Sequence, residues 1–162
     1  MRTRVFVGLG SNIDQPERHV RSALLDLAML PSTLLTGESS LYVSPPVGPR
    51  NQPDFVNAVA RLDTALAPLV LLWHLQRIER RHGRIRVQRW GRRTLDLDIL
   101  LYGEITMDHP RLKIPHPHMH ERLFVLAPLY ELHPGLIISG KGSLARLLAG
   151  LNSKDRSRVC KL

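Results

Sequence analysis

A strand-like segment over residues 95–101 carries two aspartates among apolar residues. Polar and apolar positions alternate there with a period of two, which is typical of a β-strand with residues i and i+2 on the same side. Asp96 and Asp98 therefore share one face, with Cβ atoms about 7 Å apart, while the apolar residues beside them anchor the other face. Two anions on a core strand need a positive partner, because burying an unpaired charge is costly. The segment predicts arginine or a metal ion above the carboxylates.

A cluster of arginines directly precedes this strand. The chain has a formal net charge of +9, and the segment 77–93 holds eight arginines and one acid, a balance of +7. The basic charge is therefore local, and beside two carboxylates it suits a compact polyanion bound with metal. The alternative is a module that grips nucleic-acid phosphates with the same cluster. That alternative leaves Asp96 and Asp98 without a role, and it stays open at this point.

The length of the chain fits one domain with a full core, since it has 162 residues. We predict a single domain over 1–162, in which 152–162 form a flexible tail. No apolar run approaches the roughly 20 residues that span a bilayer, and the N-terminus has no signal-peptide pattern. Cys160 is the only cysteine. We expect a cytoplasmic monomer without a membrane partner.

Predicted strands and helices alternate along the rest of the chain. We predict strands over 5–9, 34–43 and 55–62, a glycine turn over 8–12, and helices over 16–30, 68–82, 120–131 and 144–148. Four prolines within 44–53 predict a stiff loop, and 110–117 form a second proline-bounded loop. The order β-α-β-β-α-β predicts an α+β fold, a ferredoxin-like α/β sandwich with a mostly antiparallel sheet and helices on one face.

Hard divalent cations explain the aspartate pair in chemical terms. Mg²⁺ binds carboxylate oxygens, and phosphates fill its other positions. Two nearby acids can bridge two such ions, as in phosphoryl-transfer sites, while arginines neutralise charge on the phosphoryl group. The simpler alternative, in which the upstream arginines pair with Asp96 and Asp98 and no metal binds, also stays open.

The segment GRRTLDLDIL at 91–100 resembles the signature of the 6-hydroxymethyl-7,8-dihydropterin pyrophosphokinases, a family of folate synthesis. Further matching pieces follow the family's order and spacing: GLGSN at 8–12, SPPVGP at 44–49, QPDFVN at 52–57, QRIE at 76–79, GR at 83–84, RWG at 89–91, IPHP at 114–117 and ERLFVL at 121–126. Each piece alone is weakly specific, whereas their order and spacing together are specific. The resemblance covers nearly the whole chain.

This resemblance implies a reaction. ATP gives a pyrophosphoryl group to the hydroxymethyl group of the reduced pterin, and AMP is released. The hydroxyl attacks the β-phosphorus with two Mg²⁺ ions assisting. The implied partners are ATP and 6-hydroxymethyl-7,8-dihydropterin, with no nucleic acid.

The resemblance also implies roles for individual residues. Asp96 and Asp98 would be the Mg²⁺ ligands, and Arg84 and Arg93 the catalytic arginines that stabilise the phosphates. The implied ATP-binding residues are Gln76, Glu79, Trp90, Ile99, Arg111, Lys113, His116 and Arg122. The implied pterin-binding residues are Ser44, Pro45, Val47, Phe55, Asn57 and Phe124.

The chemistry of the implied pterin site fits a flat heterocycle. Phe55 and Phe124 can sandwich a ring. Asn57 lies two residues after Phe55 on a predicted strand, so it shares that face and its amide can read the ring edge. Phenylalanine is more often a core residue, and that alternative stays open here, as does a different ATP-dependent kinase on the same scaffold.

The chain departs from the family pattern in four places. Arg92 stands where a small residue or proline is usual, and Phe55 stands where tyrosine is also common. Lys113 replaces a small polar residue. The loop 84–89 is short, so its inner arginines, Arg86 and Arg89, have no assigned role. This polar, arginine-rich loop is predicted to close over the substrates.

Overall fold

A computed structural model of the protein describes residues 1–48, 51–83, 94–151 and 158–162. Within these ranges the helices are α1 (Pro16–Ala28), α2 (Pro68–Arg81), α3 (Leu123–Leu132) and α4 (Leu144–Ala149). The strands are β1 (Thr3–Ser11), β2 (Thr33–Glu38), β3 (Tyr42–Ser44), β4 (Phe55–Thr64), β5 (Asp96–Tyr102), β6 (Met107–His109), β7 (Leu112–Ile114), β8 (Ile137–Ile138), β9 (Gly142–Ser143) and β10 (Cys160–Lys161). A 3₁₀ turn over Met119–Glu121 precedes α3.

Six strands form the main sheet, in the order β10-β3-β4-β1-β5, with β2 pairing on β4. Each of these pairings is antiparallel, so the predicted α+β fold with a mostly antiparallel sheet is confirmed. The strand β1 lies between β4 and β5 and pairs with both along most of its length. Two short hairpins, β6-β7 and β8-β9, stand outside the main sheet.

Helices cover both faces of the sheet. On one face, Val5, Val7 and Leu9 of β1 pack in one core with α1 and α2. On the other face, Phe6 and Leu100 belong to a second core with α3 and α4. The prediction of helices on a single face is therefore wrong. The sequence carried a sign of this arrangement, because residues 99–101 are apolar without alternation, as in strands buried on both faces.

The two helices of the first core follow the sequence prediction closely. The buried residues of α1, Val20, Ala23, Leu24 and Leu27, recur at helical spacing. Pro68 stands in the first turn of α2, where its missing N–H costs nothing. Gly83, directly after His82 at the helix end, has a φ of 74°, which suits glycine at a helix stop.

Several predicted boundaries change in the folded chain. The predicted strand 34–43 divides into β2 and β3 because Ser39 alters the ladder: its N–H donates to the Val59 carbonyl, while its hydroxyl accepts the Val59 N–H, both at 2.9 Å. The predicted helix 120–131 divides because Arg122 is extended, with φ −116° and ψ 105°. Part of the predicted loop 110–117 is a strand, since β7 pairs with β6.

The C-terminal residues reach the far edge of the main sheet. Cys160 pairs with Val43 and Lys161 with Tyr42, which makes β10 the outermost strand beyond β3. Among the described residues, no helix combines the length and the apolar character needed to cross a bilayer.

Both cores should contribute comparably to stability. Leu75 of α2 and Leu126 of α3 are fully buried, one in each core. We expect Leu75→Ala and Leu126→Ala each to lower the free energy of unfolding by about 2–5 kcal/mol, measured by urea denaturation. The control Leu25→Ala removes a side chain that is 71% exposed and should change it by less than about 0.5 kcal/mol. An unchanged unfolding free energy for Leu126→Ala would contradict a second core.

Candidate active site

A cleft opens on the face of the sheet that α3 covers, above β4, β1 and β5. Its floor follows from strand register: Gly10 of β1 lies directly between Asn57 of β4 and Asp96 of β5. One step along, Gly8 lies beside Asp98. Directly opposed residues point to the same face, so both aspartates and Asn57 border the cleft, and all of these residues line it.

The two glycines keep the floor of this cleft low. A Cβ on Gly10 would lie 3.3 Å from Asn57 Oδ1 and 3.7 Å from Phe55 Cδ1. A Cβ on Gly8 would meet only the Leu100 side chain, at 3.4 Å or more. Residues 8–11 were predicted as a turn, but they continue β1 to Ser11. Glycines inside a strand are a known sign of close ligand approach, and this signal was missed at the sequence level.

The aspartate strand has the predicted orientation. Asp96 and Asp98 are half-buried and line the cleft. Leu95, Leu97 and Ile99 are at most 4% exposed and belong to the core on the opposite face. The shared face of the two carboxylates is therefore confirmed.

The donor set beside the cleft fits a hard cation that shares its ligands with a substrate. Within the described residues, no three His, Cys, Asp or Glu side chains form a metal-binding group. Asp96 and Asp98 offer oxygen atoms at the wall of an open cleft. Mg²⁺ is commonly held by one or two carboxylates, with waters and substrate phosphates completing its coordination. The pair suits that chemistry better than a closed four-ligand zinc site.

One wall of the cleft contains all six residues that the sequence assigned to the pterin, namely Ser44, Pro45, Val47, Phe55, Asn57 and Phe124. Asn57 is almost fully buried, and its Nδ2 donates to Ser44 Oγ at 2.6 Å. The rings of Phe55 and Phe124 are only partly buried. They line the cleft as well as the protein interior, so they are available to a flat ligand.

Two side chains at the end of β1 hold the cleft together. Asn12 Nδ2 donates to Gln52 Oε1 at 2.9 Å and to the Pro53 carbonyl at 3.0 Å. The Ser11 hydroxyl donates to the carbonyl of Thr94, at the start of β5. Ser11 and Asn12 are fully buried. Sequence reasoning offered Ser11 or Asn12 as a cap for the helix over 16–30, but Gln15 stands at that position. It missed that Ser11 and Asn12 join the proline loop to β5.

His116 enters the cleft as a neutral hydrogen-bond donor. Its Nδ1 accepts the N–H of His118 at 3.1 Å, so the proton of the neutral ring resides on Nε2. Burial lowers the pKa of His116 to about 4, with help from the nearby charges of Arg122 and His118 and against the opposing effect of Asp96. The main-chain N–H of His116 donates to the Leu100 carbonyl at 2.9 Å, and this bond holds the residue beside β5.

Arg122 supplies positive charge on the same wall. It lines the cleft, and its guanidinium carbon lies 5.6 Å from the centre of the Phe124 ring. A cation over an aromatic face at this distance is favourable. The contact places the guanidinium beside the aromatic wall.

Other residues assigned to ATP lie away from this cleft. Gln76, Arg111 and Lys113 are exposed, and Lys113 pairs with Asp108 at 2.7 Å. Three further assigned residues, Arg84, Trp90 and Arg93, lie outside the described residues, as do Arg86, Arg89 and Arg92 and the predicted loop closure.

Glu79 contacts β5 at Leu97, two residues before Ile99. Glu79 is buried, and its Oε2 accepts the Leu97 N–H at 2.9 Å. The main-chain N–H of Leu97 therefore points away from β1. Ile99 lies two residues on in regular register, so its main-chain groups point to the same outer edge although its side chain is in the core.

A profile of the family described as 7,8-dihydro-6-hydroxymethylpterin-pyrophosphokinase (HPPK) matches residues 6–134. The chain belongs to this family. Two HPPK relatives are named 2-amino-4-hydroxy-6-hydroxymethyldihydropteridine pyrophosphokinase. The one from Pseudomonas aeruginosa is 54% identical over 149 residues, covering 92% of each chain. The one from Haemophilus influenzae is 48% identical over 143 residues, covering 88% of this chain and 89% of the relative.

Solved HPPK structures share the fold. A crystal structure of an HPPK-DHPS in complex with substrates superposes with a TM-score of 0.78 at 12% identity, covering 99% of this chain and 46% of that one. A Plasmodium falciparum HPPK-DHPS triple mutant with pteroate gives a TM-score of 0.73 at 12% identity, with coverages of 99% and 47%. The chain thus spans about half the length of these proteins.

The neutral state of His116 has a measurable consequence. Because its folded pKa of about 4 lies below the ordinary histidine value of 6.5, the stability linked to the neutral ring is complete above pH 6.5 and is lost as the pH falls towards 4. We expect the His116 resonance, assigned with a His116→Gln variant, to titrate near pH 4 by NMR. Unfolding of that variant should depend less on pH between 6.5 and 4. A midpoint near 6.5 would contradict the buried, neutral ring.

Proposed function

We propose that this chain transfers a pyrophosphoryl group from ATP to the hydroxymethyl group of 6-hydroxymethyl-7,8-dihydropterin, giving the pterin diphosphate and AMP, in folate biosynthesis. The names of relatives that match over most of their length support this activity. One observation carries it in the structure. The register Asn57–Gly10–Asp96 sets an aromatic and amide wall about 10 Å, or two strand spacings, from a carboxylate pair.

The wall of Phe55, Asn57 and Phe124 would bind the pterin ring. The two aromatic rings provide stacking faces, and the floor at Gly10 leaves room for the flat ligand between them. With Asn57 Nδ2 engaged by Ser44, its Oδ1 can accept a hydrogen bond from the ring edge. Ser44, Pro45 and Val47 close the same wall. A ring held there directs its hydroxymethyl group towards Asp96 and Asp98.

Asp96 and Asp98 would hold two Mg²⁺ ions through their carboxylate oxygens. When bound, such ions neutralise phosphate charge and orient the triphosphate. The two carboxylates serve this role because β5 points both at the cleft and because the core residues on its other face keep the strand in place. Glu79 adds to this by fixing the Leu97 main chain between them.

His116 and Arg122 would bind the phosphates of ATP. The Nε2–H of neutral His116 can donate to a phosphate oxygen at physiological pH, and Arg122 adds a charge-assisted donor. Arg84 and Arg93 would stabilise the transferring group, and Trp90 would pack on the nucleotide. These three assignments rest on the family resemblance.

The remaining ATP contacts would lie along the outer edge of β5. The main chain of Ile99 faces that edge, so it can hydrogen-bond a nucleobase while its side chain stays in the core. Gln76, Arg111 and Lys113 would flank the nucleotide. Lys113 must leave Asp108 to do so, which costs little because ion pairs that are exposed to solvent contribute little to stability.

In the proposed reaction, the pterin hydroxyl oxygen bonds to the β-phosphorus while the bond from that phosphorus to the α-phosphate oxygen breaks. AMP leaves, and the hydroxyl proton passes to solvent. The wall residues and phosphate ligands accelerate the step mainly by holding the two reacting groups in line. A cytoplasmic location is part of the proposal and is supported by the presence of a single cysteine, which allows no intrachain disulfide. A monomeric state is also part of the proposal.

The nucleotide product tests the reaction directly. Incubation with ATP, Mg²⁺ and the hydroxymethyl pterin should yield AMP and the pterin diphosphate, resolved by chromatography. Asp96→Asn and Asp98→Asn should each lower kcat about 100-fold or more, because each removes a charge that organises the phosphates. The control Asp63→Asn alters an acid paired with Arg4 near the other end of β4 and should keep normal turnover.

ADP as the nucleotide product would contradict the pyrophosphokinase assignment. Near-normal rates in either cleft aspartate variant would contradict the metal-binding role. Salt-sensitive binding of duplex DNA without AMP formation would instead favour the nucleic-acid alternative.

The glycine floor yields a second prediction. Gly10→Ala places a Cβ 3.3 Å from Asn57 Oδ1, so the wall must shift. We expect the affinity for the pterin to fall by roughly tenfold, which corresponds to an overpacking cost of about 1–3 kcal/mol. The matched control Gly8→Ala meets only a flexible leucine and should weaken binding much less. Isothermal titration with the pterin measures both. Equal effects of the two variants would show that Gly10 has no special role.

A further inference from the structure

The strand β10 supports the strand that leads into the pterin-facing wall. Cys160 and Lys161 pair with Val43 and Tyr42, and the Leu162 N–H donates to the Leu41 carbonyl at 2.8 Å. The next residue along β3 is Ser44, the first member of the wall. Residues 158–162 lie beyond the segment that the family profile matches, which ends at residue 134.

The same C-terminal residues also line the back of that wall. Arg158 and Val159 border a second cavity together with Pro46 and His118. This cavity shares Ser44, Pro45, Val47, Arg122 and Phe124 with the cleft. These five residues therefore border both cavities, so the cleft and the C-terminal segment share one set of wall residues.

The strand β3 is short and needs support from outside. It has only three residues, and each pairs with β4 on one side. Glu131 of α3 fixes its start, because its carboxylate accepts the Ser40 N–H at 2.9 Å, the Ser40 hydroxyl at 2.7 Å and the Tyr42 hydroxyl at 2.7 Å. Its other end runs into the proline loop. On the edge away from β4, β10 pairs with Tyr42 and Val43, directly before that end.

We propose that residues 158–162 act as a positioning strap that holds the wall segment Ser44–Val47 ready for the pterin. The strap pairs with β3 and borders the second cavity beside the wall, so it acts through other residues. This inference rests on the proposed function only because it names the pterin as the ligand. Preorganisation lowers the entropy that binding must otherwise overcome, so the strap should affect pterin affinity and leave ATP affinity and the chemical step unchanged.

Strand geometry provides a matched pair of variants. In an antiparallel ladder, hydrogen-bonded pairs alternate with pairs that are not bonded. Leu162 and Leu41 form a hydrogen-bonded pair. Cys160 and Val43, two residues along each strand, are therefore hydrogen-bonded as well. Cys160→Pro removes the N–H that donates to β3, whereas Cys160→Ser keeps it. A third variant ends the chain after residue 157.

The truncated chain and Cys160→Pro should both raise KM for the pterin, roughly three- to tenfold. KM for ATP and kcat should stay within about twofold of the unaltered chain, and Cys160→Ser should match it throughout. Hydrogen exchange without substrates should show faster exchange of the amides at 43, 44 and 47 in the first two variants only.

An unchanged KM for the pterin in both disrupting variants would overturn the strap, as would a parallel rise in KM for ATP. Unchanged exchange at the wall amides would overturn it too. The exchange readout needs no turnover. If the unaltered chain made no AMP, the proposed function would fail, while exchange would still decide whether the strap holds the wall.

Discussion

The cleft depends on the stretch of β1 beneath it, which carries no side chain on the face that lines the cleft. Gly8 and Gly10 place bare backbone between Asn57 and the two aspartates, so the two halves of the site face each other across an open floor. The lower face of the same strand carries Val5, Val7 and Leu9, which anchor it in the core with α1 and α2. One strand therefore fixes the floor rigidly and leaves the space above it empty.

The electrostatics of the cleft separate two kinds of group. The carboxylates of Asp96 and Asp98 line one side, and Arg122 and neutral His116 line another. Burial and the charge of Arg122 keep the pKa of His116 low, so the ring offers a donor without adding a second positive charge. This arrangement suits a ligand with several negative groups. Some of them could contact cations bound by the two carboxylates, while others could accept hydrogen bonds from His116 and Arg122.

Sequence periodicity went far in describing the aspartate strand and the aromatic wall. It placed the two aspartates on one face and Phe55 with Asn57 on another strand, because the period of two needs no tertiary information. It did not predict the break at Ser39, whose hydroxyl takes the place of a main-chain carbonyl as the acceptor of the Val59 N–H. It also did not predict the break at Arg122, whose extended backbone interrupts the predicted helix. It also treated Gly8 and Gly10 as a turn, since glycine in isolation does not reveal whether a strand continues through it.

The sequence alone determined the chemical inventory of this protein: the paired acids, the local arginine cluster, the two stiff proline loops and the residues of the family signature. These follow from residue type and spacing. Only the tertiary structure decided that helices cover both faces, that Ser11 and Asn12 join distant loops, and that the C-terminal strand pairs with β3. Such contacts join residues far apart in the chain, and their partners are set by packing and strand register, which no local pattern encodes.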